Sequence, residues 1–370
     1  MKTIPKTMTA ARFYEIGKPF HIDKVPVPEI GPTDVLVEVK AAGFNGGDIH
    51  LCVGGTIPIA ILPLTTSHEI AGLIAKVGSN VRGWQVGDRV AVNPQLVCGE
   101  CKLCRGGNET YCPDYSVIGF ASFSVTQPGF DRWKDNCHGG LAEYMKTPAS
   151  QLAKLPDNIS FGDASHLGVL GTAYRMIKVS QLKPGETVVI NGATGAVGHS
   201  LIRLCKVFGA SHVFGVARRT PRLAQVEKMY EGYVTMFPED DTGRVAVIDE
   251  KTFGGAQVLL DVVPKSTEAT RYGLFSLEKR GRAVLSGGTP EDVSVSYPHL
   301  MVRGVSITTS MAYNHVDVAE LLILLSSGHL YVSDLITHRF PLAQAWRGIE
   351  VMTTREETPI WVHVEPDLGK

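Results

Sequence analysis

Residues 34–40 (DVLVEVK) alternate apolar and polar positions directly after a Gly31-Pro32 turn. A period of two predicts a half-buried strand. Residues 69–77 and 88–92 read as further strands, set off by Gly78 and Gly87, so the first part of the chain is expected to be rich in β-structure. The pattern then changes. Val188-Val189-Ile190 is short and wholly apolar, a buried strand. A glycine-rich turn follows it, then a helical pattern from Ala196 to about Phe208 and another strand at 211–217. Residues 257–263, 282–286 and 305–309 continue as strands, with helical stretches between some of them. Strands and helices in alternation predict a doubly wound parallel sheet, hence an α/β fold. From about Ser310 the chain returns to helix and strand, ending with a strand at 360–364.

The 370 residues suffice for two domains with sizeable cores. Charged residues make up 20% and hydrophobic ones 44%, as in an ordinary soluble protein. A net charge of -1 supplies no basic field for nucleic acid or a membrane surface. Residues 1–10 lack the apolar run of a signal peptide, and no apolar stretch approaches a membrane span of about 20 residues. The expected partner is a small-molecule substrate.

Chemistry concentrates in two segments. Cys98, Cys101, Cys104 and Cys112 lie within 15 residues, interspersed with glycines 99, 106 and 107. Thiolates at this spacing can surround one tetrahedral zinc, and a site closed by four of them is structural because no position remains for water or substrate. Two disulfides or chance clustering are the alternatives. Cys52, Cys137 and Cys205 remain as free thiols, which suits a reducing compartment and predicts a cytoplasmic location. The second segment is Gly192-Ala193-Thr194-Gly195-Ala196-Val197-Gly198, between a strand and a helix. Gly192 permits the tight turn, Gly195 lets the backbone approach a pyrophosphate, and Gly198 lets the helix pack on the sheet. Cofactor choice is made at the end of the following strand. There the sequence reads Gly215-Val216-Ala217-Arg218-Arg219-Thr220, with two guanidinium groups and no carboxylate. That favours the 2′-phosphate of NADP(H), unless both arginines are merely solvated surface charges.

With residues 43–50, Ser67-His68-Glu69, Gly87-Asp88-Arg89-Val90 and Gly139-Gly140-Leu141-Ala142-Glu143-Tyr144 in the same order, the chain resembles the medium-chain dehydrogenase/reductase superfamily over essentially its whole length. The cysteine lobe resembles the zinc-containing alcohol dehydrogenase branch. The resemblance implies a Rossmann doubly wound parallel sheet inserted into a β-rich, GroES-like catalytic domain. Residues 1–160 and 310–370 would form the catalytic domain, with its zinc lobe at about 95–115, and residues 161–309 the NADP-binding domain. The active cleft would lie at their junction, and a homodimer is expected by analogy.

The resemblance also locates a departure. Zinc-dependent members carry a Cys ligand two residues after the glycine matching Gly43, where this chain has Asn45. Their second ligand, a His followed by Glu, is present as His68-Glu69. Their third, commonly a Cys four residues before a threonine matching Thr172, is Gly168. One imidazole is a poor zinc site. His166 and Asp48 are the nearest substitutes, with no reason in the sequence to converge on His68. The run Ala42-Gly43-Phe44-Asn45-Gly46-Gly47-Asp48 resembles the zinc-free quinone and enone reductases of the superfamily.

Without a catalytic metal, conjugate reduction is favoured over alcohol oxidation, because an enolate spreads the charge that an alkoxide concentrates. The expected function is NADPH-dependent hydride transfer to an activated C=C, iminium or carbonyl group. Asn45 could donate from its amide or simply cap a loop. His50 stands where zinc enzymes keep a proton-relay His, although Gly47 replaces the relay hydroxyl. His68 and Glu69 are either a remnant or a new acid–base pair. Thr172 and Tyr174 could face the nicotinamide, with packing the commoner role for an aromatic ring. The apolar segment 54–63 would border the cleft or pack in a core. Two alternatives remain: a zinc-dependent alcohol dehydrogenase with atypical ligands, and a non-redox NADPH-binding protein.

Overall fold

The computed structural model describes residues 3–57, 59–218, 221–288 and 290–369. The chain divides into two compact units, Met1–Gly168 with Asn314–Gly328 and Val332–Lys370, and Val169–Tyr313 with His329–Tyr331. Residues 161–168 therefore pack with the first unit and 310–313 with the second, each on the other side of the boundary drawn from sequence.

The first unit is built on a seven-stranded sheet. Its order is Ile336–Pro341, Trp361–Glu365, Asp34–Phe44, Glu69–Val77, Arg89–Val92 and Leu152–Lys154, with Tyr144–Pro148 also pairing to Asp34–Phe44. All pairs are antiparallel except the first. The register sets Gly43 opposite Glu69 on one side and opposite His363 on the other. The strand read at 34–40 continues to Phe44, where alternation gives way to four buried residues in a row, and Val35, Val37 and Val39 enter the core with Ile70, Ile74, Val90 and Val362. Ile57, Ile59 and Ile61, from the apolar segment, pack against that core. A hairpin of Thr7–Arg12 and His21–Pro26 and the helix Gln127–Asp135 are additions that the sequence pattern did not announce.

The second unit holds a six-stranded parallel sheet in the order Val234–Pro238, His212–Ala217, Thr187–Asn191, Ala256–Asp261, Leu277–Leu285, Ser306–Thr309. Numbered along the chain this is 3-2-1-4-5-6, the doubly wound nucleotide-binding topology. Val189, Phe214, Leu259 and Ala283 form its core. Among the described residues no helix is long and apolar enough to cross a membrane.

Candidate functional site

The four cysteines of the lobe are placed so that they could hold a metal ion. Cys101 caps the short helix Lys102–Arg105, which turns Cys104 back toward Cys98 and Cys101. Sulfur–sulfur distances are 3.8 Å for Cys98–Cys104, 3.5 Å for Cys101–Cys104, 4.0 Å for Cys101–Cys112 and 3.5 Å for Cys112–Cys98. A tetrahedral zinc with bonds of about 2.3 Å sets its sulfurs about 3.8 Å apart. A disulfide needs about 2.05 Å, so the cage fits the metal and not two bridges. Backbone N–H groups of Glu100 and Cys101 donate to Cys98 Sγ at 3.4 and 3.3 Å. Those of Cys98 and Asp114 donate to Cys112 Sγ at 3.4 Å each. The donors from Cys101 and Glu100 pull the Cys98 thiol down to about 7, while burial raises Cys104 and Cys112. A divalent cation overrides such burial and deprotonates coordinating thiols. Among the described residues this is the one cluster of His, Cys, Asp or Glu side chains placed to hold a metal.

Asn45, His68 and Glu69 come together at a second place in the first unit. Asn45 is the N-cap of the helix Gly46–Ile49, and its side-chain oxygen accepts from Gly47 N at 2.8 Å. That bond fixes which way the amide faces. Its nitrogen then donates to Glu69 Oε1 at 2.9 Å and meets His68 Nε2 at 2.8 Å. An amide nitrogen has two hydrogens, so His68 Nε2 is the acceptor and its proton resides on Nδ1. Asn45 is thus both the capping residue of the bland reading and the bridge between the next two candidates, with no N–H left for a substrate oxygen.

Gly168 serves the same cluster from another element. Its N–H donates to Glu69 Oε2 at 2.8 Å. A Cβ at Gly168 would stand 2.5 Å from Glu69 Oε1, so a cysteine there is incompatible with this carboxylate position. Asn45 Nδ2 takes the His68 Nε2 lone pair and, with Gly168 N, one acceptor site on each Glu69 oxygen, so His68, with its proton on Nδ1, has no lone pair left and this donor set does not fit a catalytic zinc.

Asp48, unlike the sequence expectation, does converge on His68. Its Oδ1 lies 3.8 Å from His68 Nδ1, while Oδ2 accepts from Asn45 N at 2.9 Å. Burial raises the Asp48 pKa and lowers that of His68, each partly offset by attraction to the other. Both are thereby pushed toward their neutral forms. The His68 ring also leans on Phe120, 4.8 Å between centres. His166 instead enters the core and stacks on Trp361 at 4.7 Å.

His50 sits in a π-helical turn, His50–Gly54, with Nδ1 3.3 Å from Thr56 Oγ1. Thr172 and Tyr174 belong to the second unit, on the helix Leu167–Ser180. Tyr174 packs against Phe208, with Lys178 over its ring.

In the second unit the glycine turn has the geometry a dinucleotide requires. Gly192 has φ +85°, and a Cβ at Gly198 would come within 2.3 Å of Gly192 O. Gly195 is the N-cap of the helix Ala196–Val207 and offers no side chain to its orphan N–H groups, which suits an anion. Ala193 and Thr194 are buried beneath, and the Thr194 carbonyl accepts from the buried Arg222 guanidinium. Val197 lies in the first turn of that helix. Arg218 follows the strand His212–Ala217 and lines a groove of about 430 Å³ with Glu239, Asp240, Thr242, Glu268 and Tyr272. Buried Arg244 fastens the loop behind it, donating to the carbonyls of Glu239 and Asp241 at 2.6 and 2.7 Å. Arg219, the other predicted phosphate ligand, lies outside the described residues. The acidic side of this groove comes from the end of the third strand, where sequence reasoning had not looked.

Residues 31–157 match the family described as the alcohol dehydrogenase GroES-like domain, and residues 196–327 that described as zinc-binding dehydrogenase. The chain is 31% identical over 323 residues to a probable D-xylulose reductase A of Neosartorya fischeri, covering 84% of each. It is 30% identical over 352 residues to an NAD-dependent alcohol dehydrogenase of Sulfurisphaera tokodaii, covering 93% of this chain and 96% of that one. Its fold superposes on the alcohol dehydrogenase TADH from Thermus sp. ATN1 with a TM-score of 0.84 at 28% identity, covering 97% of this chain and 99% of that one.

Proposed function

The chain belongs to the medium-chain dehydrogenase/reductase superfamily and is an oxidoreductase of the alcohol- and polyol-dehydrogenase type, and from that premise we propose that it uses NADP(H) to reduce an activated C=C, iminium or carbonyl group of an apolar small molecule with no metal at the substrate site. The observation that carries this reading is the Asn45 amide, which donates to His68 Nε2 and Glu69 Oε1 from the position where the resemblance places a Cys ligand.

The bound cofactor supplies the hydride. This chain's residues handle the proton and the orientation. Glu69 is the acid–base group, held by Asn45 Nδ2 and Gly168 N so that its carboxyl keeps one direction. His68, kept neutral by burial, is the more open member of the cluster, with 14% of its side chain exposed. Asn45 acts as a positioning residue, since its hydrogens are spent within the cluster. The one N–H of the cluster without a hydrogen-bond partner among the described residues is that at His68 Nδ1, a single neutral donor that suits a delocalised charge better than a concentrated alkoxide. On the cofactor side, Arg218 supports a 2′-phosphate, and Glu239 and Asp240 in the same groove weaken that preference. One relative is described as NAD-dependent, which makes the choice a matter for measurement.

A second reading, zinc-dependent alcohol oxidation through Asp48, His68 and Glu69, draws support from the alcohol and polyol dehydrogenases among the relatives. One experiment separates the two. Enone-dependent NADPH oxidation and alcohol-dependent NADP reduction are followed before and after a mild chelator that leaves about one zinc per chain. The proposal expects enone reduction that survives chelation. Alcohol oxidation that vanishes with the second zinc and returns on its addition establishes the zinc reading. No turnover with any conjugated acceptor leaves a non-redox nucleotide-binding protein.

The same proposal includes a reducing, cytoplasmic setting, supported by seven cysteines none of which is in a disulfide. It also includes a homodimer, supported by the exposed edge strand Ser306–Thr309.

A further inference from the structure

Arg244 is 0% exposed, although a guanidinium keeps its charge at any pH a protein meets. It opens the helix Arg244–Thr252 of the second unit. Its Nη1 donates to the carbonyls of Glu239 and Asp241, while Nε and Nη2 have no hydrogen-bond partner among the described residues. The carboxylates of Asp241, Glu239 and Asp240 attract the group without bonding to it. A buried charge is costly unless it is paired. One that is bonded only to backbone carbonyls keeps its net charge, and its field reaches beyond its own site.

That field falls on the groove beside Arg218. Glu239 and Tyr272 form two of the groove's walls. Arg244 is tied to the first through the carbonyl bond, and its guanidinium carbon stands over the ring of the second, 5.1 Å from the centre. The cation therefore lies directly behind the walls. Being buried, it is screened by salt far less than a surface arginine. Three carboxylates share the groove with Arg218, from Glu239, Asp240 and Glu268. Arg271 pairs with Glu268 at 2.6 Å. Glu239 and Asp240 remain as the charges that a phosphate would meet beside Arg218, and Arg244 holds the loop that carries them.

We propose that Arg244 determines cofactor specificity from behind the groove, offsetting Glu239 and Asp240 so that the 2′-phosphate of NADP(H) is accepted there. This rests on the reading of the groove as the 2′-phosphate site. Arg244 acts through its charge and through the loop it holds, so it is a positioning residue and not a phosphate ligand. A dinucleotide with a bare 2′-hydroxyl gains little from such a charge. The two parts of the role can be separated. Lysine at this position preserves the charge, and glutamine preserves a hydrogen-bond donor without it.

The test measures dissociation constants of NADPH and NADH on the full-length protein for wild type, Arg244→Gln and Arg244→Lys, each with a melting curve. Arg244→Gln is expected to weaken NADPH about tenfold more than NADH, and Arg244→Lys to keep the wild-type ratio. A mere clamp on the loop would weaken both cofactors alike, so equal losses, or an unmoved ratio, overturn the proposal. If Arg244→Gln does not fold, the combined variant Arg218→Ala, Arg219→Ala, Glu239→Gln, Asp240→Asn carries the test, because it keeps Arg244 and the backbone carbonyls it holds. Tighter binding of NADPH than of NADH there supports the proposal, and equal constants overturn it. A wild-type protein that prefers NADH, in which Arg244→Gln still moves the ratio while Arg244→Lys does not, keeps the role of Arg244 and removes the NADP(H) reading.

Discussion

The oxygen of Asn45 is committed to Gly47 N and its nitrogen to His68 and Glu69, so replacing it removes three contacts at once. Asn45→Ala is expected to lower turnover by about 10- to 100-fold, the scale of a misplaced acid–base group, while NADPH affinity stays unchanged. Steady-state kinetics beside a binding titration read both. The sequence marked Asn45, His68 and Glu69 as a group by family resemblance, yet nothing in it showed that one amide joins them. The partners stand 23 and 24 residues away, and no periodicity encodes such a contact. A second expectation concerns pH. Burial first, then Arg222 and Arg203, holds His199 at about 3 against an ordinary 6.5. The unfolded chain takes up that proton below about 6.5 and the folded one only near 3, so the stability from this group is full above 6.5 and is lost as pH falls. Between pH 7 and pH 5 the loss from His199 is about 2 kcal/mol. His68, His166 and His363, also lowered by burial, act in the same direction, while Asp48 and Asp261, raised by burial, act in the opposite one. Urea titrations across that range should show the fall, and His199→Gln should flatten it.

Among the elements, the helix of the cysteine lobe, Lys102–Arg105, spans four residues and buries none of them, so a metal would add much to what holds the lobe. Cys104→Ser is therefore expected to lower zinc content and thermal stability together, read by elemental analysis and a melting curve on the same sample. The strand Leu277–Leu285 began five residues before the 282 start read from sequence, because Glu278, Lys279 and Arg280 interrupt its apolar pattern. The glycine turn and the helix Ala196–Val207 were legible because their signals are local. The groove around Arg218 was legible only on one side. Glu239 and Asp240 arrive from a different strand, 21 and 22 residues further along. They yield a prediction of their own. Glu239→Gln with Asp240→Asn should shift preference toward NADPH over NADH by about tenfold, since two carboxylates no longer oppose the 2′-phosphate. Arg218→Ala should shift it the other way. Dissociation constants for the two cofactors measure both.

For the molecule as a whole, composition and strand–helix alternation sufficed to predict a doubly wound sheet, because a parallel sheet writes apolar runs between helices. The order of strands in the first unit was not legible. Its sheet pairs Trp361–Glu365 with Asp34–Phe44, more than three hundred residues apart in sequence, which only the folded chain displays. His166 was noted only as a substitute metal ligand, and its place in the core beside Trp361 and His363 was hidden for the same reason. The cysteine lobe carries a comparable long-range tie. The helix His315–Ser326 begins at Asn314, whose side-chain nitrogen donates to Gly107 O at 3.0 Å, and His315 N donates to Glu109 Oε1 at 2.9 Å. A carboxylate from the lobe thus occupies the positive end of a helix more than 200 residues away in sequence. A metal held there would then also fasten chain far outside its own loop. Stripping zinc should accelerate amide hydrogen exchange in the first turn of His315–Ser326 as much as in the lobe. Exchange confined to residues 98–112 after chelation would show that the helix starts without help.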